Sequence, residues 1–153
     1  MAIDFKNLLL VLPHVTSANH PVLLRGRHGI GKSSVVYQYA ISVGLPVVER
    51  RASQMTEGDL LGLPKVDDNV TSFCPPDWFA AACDSGVLLF LDEVDRATLE
   101  VRQGIFELCD SRKLAGHTLH PETLIFAAVN GGTHAGAAAY QVGEMDPAEL
   151  DRY

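Results

Sequence analysis

Gly26-Arg27-His28-Gly29-Ile30-Gly31-Lys32-Ser33 combines glycines, an amine and a hydroxyl at the spacing G-x-x-x-x-G-K-[ST]. Glycines let a backbone wrap closely around phosphate with several N–H groups pointing inward. A helix that opens there adds its positive N-terminal end. Lys32 supplies a mobile cation for the outer phosphates, and the Ser33 hydroxyl suits Mg2+. Side chains inside such a loop usually face away from phosphate, which applies to His28. The expected nucleotide-contact set is Gly26, Arg27, His28, Gly29, Ile30, Gly31, Lys32, Ser33 and Ser34.

Asp92-Glu93 directly follows the unbroken apolar run Val87-Leu88-Leu89-Phe90-Leu91. Strand carboxyl ends in an α/β sheet point at the ligand crevice, so both acids would arrive beside the phosphates. Asp92 is the candidate Mg2+ ligand, directly or through water. Glu93 is the candidate base that orients the attacking water and takes its proton. The competing reading makes the pair a cap for the helix opening near Asp95-Arg96-Ala97-Thr98. Asn130 ends a second apolar run, Leu124–Val129, and its amide could reach the same water and terminal phosphate. The competing reading there is a turn residue in Asn130-Gly131-Gly132.

These residues need strands and helices in alternation. Pro21–Leu24 reads as a buried strand stopping at the glycine turn. Lys32–Val43 reads as a helix closed by Gly44, with Pro46 beyond. Asn7–Val15 is a short helix with Leu8, Leu12 and Val15 on one face, and Val47–Arg50 a second strand. Val87–Leu91 and Leu124–Val129 read as parallel strands covered on both faces. Ala97–Cys109 is a helix with Val101, Ile105 and Leu108 inward. The expected fold class is a three-layer α/β/α sandwich with a parallel sheet. One stretch, about residues 52–80, is rich in Gly, Pro and Asp, with a hairpin turn expected at Asp68-Asn69.

The chain has 153 residues, one domain's worth, with 47% hydrophobic and 20% charged residues. Its formal charge of −7, from 19 acidic against 12 basic residues, disfavours a nucleic-acid surface, which needs clustered Lys and Arg. Cys74, Cys83 and Cys109 form no CxxC pair and read as reduced, mostly buried thiols. His117 and His120 have no carboxylate or cysteine cluster around them, so a metal site is not expected there. The N-terminus lacks a basic n-region, and no stretch approaches the ~20 apolar residues of a membrane span. A cytoplasmic location is expected.

Taken together, the glycine loop, Asp92-Glu93 with Asp95-Arg96-Ala97, Gln103 and Glu107, Asn130, and Met145-Asp146-Pro147-Ala148-Glu149-Leu150-Asp151-Arg152 resemble the MoxR group of AAA+ ATPases. The match runs from about Leu8 to the end. Asp59-Leu60-Leu61-Gly62 and Phe73-Cys74-Pro75-Pro76-Asp77-Trp78-Phe79 are similar to that group's helix-2 insert, with Pro76 where glycine is usual. The resemblance implies a P-loop NTPase core over residues 1–153, with the insert at about 52–80. It also implies ATP and Mg2+ as cofactors, a homo-hexameric ring and a protein client. A von Willebrand factor A domain protein is the implied partner. Arg152 matches the arginine finger that reaches a neighbour's phosphate, with Arg96 and Arg112 as rivals. AAA+ proteins continue into a fifth strand and a helical lid, which this sequence lacks, so Val22–Leu24 is expected at a sheet edge. Two other classes compete: a nucleic-acid motor or loader of the same fold, and a GTP-dependent switch. The first calls for a basic loop; the second for an Asn-Lys-x-Asp stretch, absent here.

Overall fold

A computed structural model describes residues 4–130. The first helix, α1 (Phe5–Ser17), is longer than the expected Asn7–Val15 at both ends. Asp4 caps it, its carboxylate accepting from the Asn7 N–H at 2.8 Å. At the far end the Thr16 hydroxyl donates to the Leu12 carbonyl and meets the Tyr39 hydroxyl at 2.6 Å, tying the last turn to the next helix. Strand β1 (Val22–Arg25) then leads through the glycine loop into α2 (Lys32–Val43), which ends on Gly44 in a left-handed conformation. Strand β2 (Val47–Arg51) follows.

The segment after β2 holds a short helical turn, Ala52–Gln54, and α3 (Glu57–Leu61). A hairpin of β3 (Leu63–Asp67) and β4 (Val70–Cys74) follows, then α4 (Asp77–Asp84). Asp68 and Asn69 form the hairpin turn, both at positive φ, which short polar side chains tolerate best. The hairpin base closes at Gly62, where a Cβ would lie 1.9 Å from the Cys74 carbonyl oxygen. Only glycine permits that approach. Pro76 starts α4 as its N-cap in extended geometry.

Strand β5 (Leu88–Asp92) runs into a turn at Val94–Arg96, and α5 (Leu99–Ser111) begins two residues after the expected Ala97. Thr98 caps α5, and Ala97 stays extended. Two short strands, β6 (Lys113–Leu114) and β7 (His117–Thr118), precede β8 (Leu124–Val129).

Four strands form one parallel sheet in the order β1-β8-β5-β2. Side-chain alternation splits the core into two layers. Leu88, Phe90, Phe126 and Ala128 face Leu12, Val36 and Tyr39 of α1 and α2. Leu89, Leu91, Ile125 and Ala127 face Leu60, Phe79, Val101, Ile105 and Leu108 of α3 to α5. The three-layer α/β/α arrangement is thus in place, and β1 forms a sheet edge among the described residues. The cysteines differ from expectation: Cys109 is buried, Cys83 half-buried and Cys74 exposed, because Cys74 ends β4, a hairpin strand that is exposed along most of its length. Among the described residues no helix is long and apolar enough to cross a membrane.

Candidate functional site

The β1–β8 ladder continues past the strand end, with the Gly26 N–H donating to the Val129 carbonyl at 3.2 Å. The chain then turns through Gly29 (φ 76°) and Gly31 (φ 97°), left-handed conformations that favour glycine. No side chain caps α2, which leaves first-turn N–H donors for a ligand. A Cβ on Gly29 would meet nothing within 4 Å, so the loop is open on that side.

Lys32 opens α2 and folds back over the loop. Its ammonium donates to the carbonyls of Gly26 (2.9 Å) and Arg27 (3.3 Å) and to Asn130 Oδ1 (3.0 Å). Burial lowers its pKa, against the pull of Asp92, Asp95 and Glu93. These three hydrogen-bond partners are neutral acceptors, and the described ion pairs give Lys32 no carboxylate at salt-bridge distance. A half-buried cation so placed suits an incoming anion.

Asp92 ends β5, and its Oδ1 accepts from the Glu93 N–H at 2.8 Å. Glu93 itself sits at φ 56°, a left-handed conformation that is costly for a residue with a Cβ. Two groups hold its carboxylate. The Ser53 hydroxyl donates to Oε2 at 2.5 Å, and Arg96 Nη1 lies 3.7 Å from Oε1. Ser53 escapes sequence reading: its only signal is a hydroxyl just past the end of a strand, and the register Arg51↔Asp92 is what places it beside β5. Thr98 caps α5, and although Glu93 precedes the turn Val94–Arg96 as its N-cap residue, its side chain makes no capping bond there.

His28, Gly29, Gly31, Lys32, Ser33, Ser34, Asp92, Glu93 and Asn130 line one cleft of about 320 Å³. Gly26, Arg27 and Ile30 do not line it; the first two lend their carbonyls to Lys32, and Ile30 is exposed. Arg152 lies outside the described residues. Of its rivals, Arg112 is half-buried and its Nη2 donates to the carbonyls of His120 (3.0 Å) and Thr123 (2.6 Å) of its own chain. Arg96 stays beside Glu93. His117 Nε2 meets the Phe73 carbonyl, and His120 Nδ1 accepts from the Glu122 N–H. No cluster of three metal-ligating side chains occurs among the described residues. A larger cavity of about 610 Å³ lies at the base of the hairpin, lined by Arg50, Arg51, Asp59, Cys74 and Trp78 among others. It has no glycine loop, and the helix that starts beside it, α4, opens on Pro76, which has no N–H, and on Asp77, whose carboxylate already accepts from the Trp78 N–H, so the smaller cleft suits phosphate better.

Donors and acids in this cleft fit a Mg2+–nucleotide. Mg2+ is usually bound through one or two carboxylates plus substrate phosphates rather than by an all-protein cage. Ser33 and Asp92 could supply the protein side of that set.

Burial pushes the Asp92 carboxyl up, the Glu93 N–H opposes, and the Glu93 charge adds to the rise. The folded state therefore holds this proton more tightly than the unfolded chain. Stability falls as pH rises from the unfolded value, about 3.9, through the raised folded one, and stays lower above it. Asp92→Asn removes that cost. Nucleotide-free Asp92→Asn protein should melt higher than the parent at pH 7.5, with the gain vanishing at about pH 3, below the unfolded value. Thermal melts at both pH values check this, and a lower melting temperature at pH 7.5 contradicts it.

Comparison with known proteins places this geometry. The sequence profile of the AAA domain (dynein-related subfamily) matches residues 21–152. A Cytophaga hutchinsonii protein provisionally designated an ATPase superposes with a TM-score of 0.67 at 19% identity, over 99% of this chain and 45% of that one. The RuvB Holliday junction branch migration motor of Thermotoga maritima superposes with a TM-score of 0.55 at 19% identity, over 82% of this chain and 38% of that one. A point mutant of the same RuvB gives a TM-score of 0.55 at 18% identity, over 81% of this chain and 37% of that one. At such identities these likenesses show the shared fold, and the chain spans less than half the length of each protein. By profile and by fold, the chain belongs to the AAA domain family of P-loop ATPases, dynein-related subfamily.

Proposed function

We propose that this chain binds ATP with Mg2+ in the cleft, hydrolyses it, and uses the cycle to remodel protein clients within a MoxR-type hexameric ring. One observation carries the catalytic part. Lys32 from the start of α2, Asp92 and Glu93 from the end of β5, and Asn130 from the end of β8 meet around a single cleft.

The chemistry follows from those side chains. Phosphate oxygens replace the Gly26, Arg27 and Asn130 acceptors on Lys32, exchanging neutral partners for charged ones. Ser33 and Asp92 would hold Mg2+, which neutralises charge on the β- and γ-phosphates. Glu93 lines the cleft, and its carboxylate keeps acceptor sites for a water beside the one that Ser53 fills. It takes the proton as the water oxygen bonds to the γ-phosphorus and the bond to the ADP oxygen breaks. Arg152 of a neighbouring subunit would meet the developing phosphate charge with its planar fork.

The remodelling part is supported by the −7 charge, by the insert between β2 and β5, and by the MoxR-like Asp95-Arg96-Ala97. A von Willebrand factor A domain protein fits the same reading as a partner. The test is stimulation of ATP hydrolysis by an unfolded polypeptide, casein, against duplex DNA. Casein should raise the rate about twofold or more and DNA should leave it unchanged. Stimulation by DNA alone would overturn the remodelling reading in favour of a nucleic-acid motor.

A further inference from the structure

Asp95 is a carboxylate that the chemistry above does not use, yet it is 3% exposed and sits two residues after Glu93. Its Oδ2 accepts from the Asn130 backbone N–H at 2.9 Å. Its Oδ1 is buried with no hydrogen-bond partner. Asn130 has the complementary defect: its Oδ1 accepts from Lys32, while its Nδ2 is buried with no acceptor. The amide orientation is dictated by chemistry, because an ammonium has donors only and must face the oxygen end. An unpaired buried donor and an unpaired buried acceptor thus lie on two residues already joined by a hydrogen bond. Such groups are costly to leave unmade.

We propose that Asp95 is a positioning residue that sets which end of the Asn130 amide faces the nucleotide. The inference rests on the reading of the cleft as an ATP site. When phosphate draws the Lys32 ammonium away, nothing holds Asn130 Oδ1 in its present place. Rotation of the amide then closes Nδ2 on Asp95 Oδ1, satisfying both buried atoms. Asn130 Oδ1 is left pointing into the cleft as an acceptor for an O–H of the attacking water. Only a carboxylate at position 95 does this cleanly. One oxygen keeps the backbone N–H and the other accepts the amide N–H, and neither can donate. An asparagine at 95 would keep the backbone bond but offer an NH2 to the side chain of Asn130. That would attract Oδ1 and turn the donor end toward the water.

The test uses the full chain with Asp95→Asn, Asn130→Ala and the double variant, and it has two readouts. In isotope-labelled parent protein, a nonhydrolysable ATP analogue with Mg2+ should shift the Asn130 side-chain NH2 signals downfield along with the loop amides. In Asp95→Asn the loop amides should still shift while the Asn130 NH2 does not follow. In hydrolysis, Asp95→Asn should bind ATP within about threefold of the parent but turn over about 10-fold slower or worse, as loss of one aligned polar contact does. Against an Asn130→Ala background Asp95→Asn should cost nothing further, whereas a merely structural carboxylate would cost the same in both backgrounds. Loop amides that shift while the parent Asn130 NH2 stays still, or additive rate losses, would overturn the assignment. Loop amides that fail to shift in the parent would remove the ATP-site reading itself, and this inference with it.

Discussion

Lys32→Ala should weaken ATP binding by about 100-fold or more while leaving the fold intact. Two physical terms give that size. A hydrogen bond to a charged group is worth about 1.5–3 kcal/mol, and the ammonium can make more than one to the phosphates. Each 1.4 kcal/mol is tenfold in affinity. Within the chain the same ammonium donates to two carbonyls and an amide oxygen. The fold should not suffer. Burial lowers the Lys32 pKa, so the folded state binds this proton less tightly than the unfolded chain. The charged form is therefore a cost at neutral pH, present below the unfolded value of about 10.4. Removing the cation should leave the melting temperature unchanged or raise it. Calorimetric titration with ATP and Mg2+, beside a thermal melt, measures both. Unchanged affinity sinks the phosphate-loop reading.

Glu93→Gln should hold ATP within about threefold of the parent yet slow hydrolysis by about 100-fold or more, since an amide cannot take the proton. The strained backbone at Glu93 and the Ser53 bond frame the expectation. Glutamine still offers an oxygen to Ser53, so the resting geometry survives and the loss falls on turnover. Phosphate release under saturating ATP is the measurement. Turnover within threefold of the parent would show that Glu93 is not the base.

Much of the fold is legible because short-range physics sets it. The α2 boundaries, Lys32 to Val43 with Gly44 beyond, follow from a phosphate-loop glycine in front and a left-handed glycine behind. The central strands Leu88–Asp92 and Leu124–Val129 read out from the unbroken apolar runs Val87–Leu91 and Leu124–Val129 because both faces are covered. The ends of α1 are not legible. Its last turn is held by a bond to Tyr39, 23 residues away, which no local periodicity encodes.

The candidate cleft divides the same way. Lys32, Ser33, Asp92 and Asn130 can be named because each sits at a strand end or helix start where ligand chemistry concentrates. Their mutual contacts cannot. The Lys32–Asn130 bond spans 98 residues, and the Ser53–Glu93 bond depends on β2 and β5 being neighbours in register. Asp95 reads as part of a helix start and is instead buried against Asn130. Arg112 reads as a surface cation that could act on a neighbour, yet two carbonyl contacts turn it inward. For Lys32, Ser53 and Asp95 the deciding partner is 35 residues or more away, and for Arg112 it lies beyond the β6–β7 turn, so none carries a local signature.

In the proposed function one cleft, and not the larger cavity beneath the hairpin, takes the nucleotide. The most direct test is the backbone amide spectrum of the isotope-labelled chain, titrated with a nonhydrolysable ATP analogue and Mg2+. The shifts should concentrate on residues 29–34, Asp92, Glu93 and Asn130, at the smaller cleft. Shifts centred on Arg51, Asp59 and Trp78 of the larger cavity, with the glycine loop silent, would contradict the account.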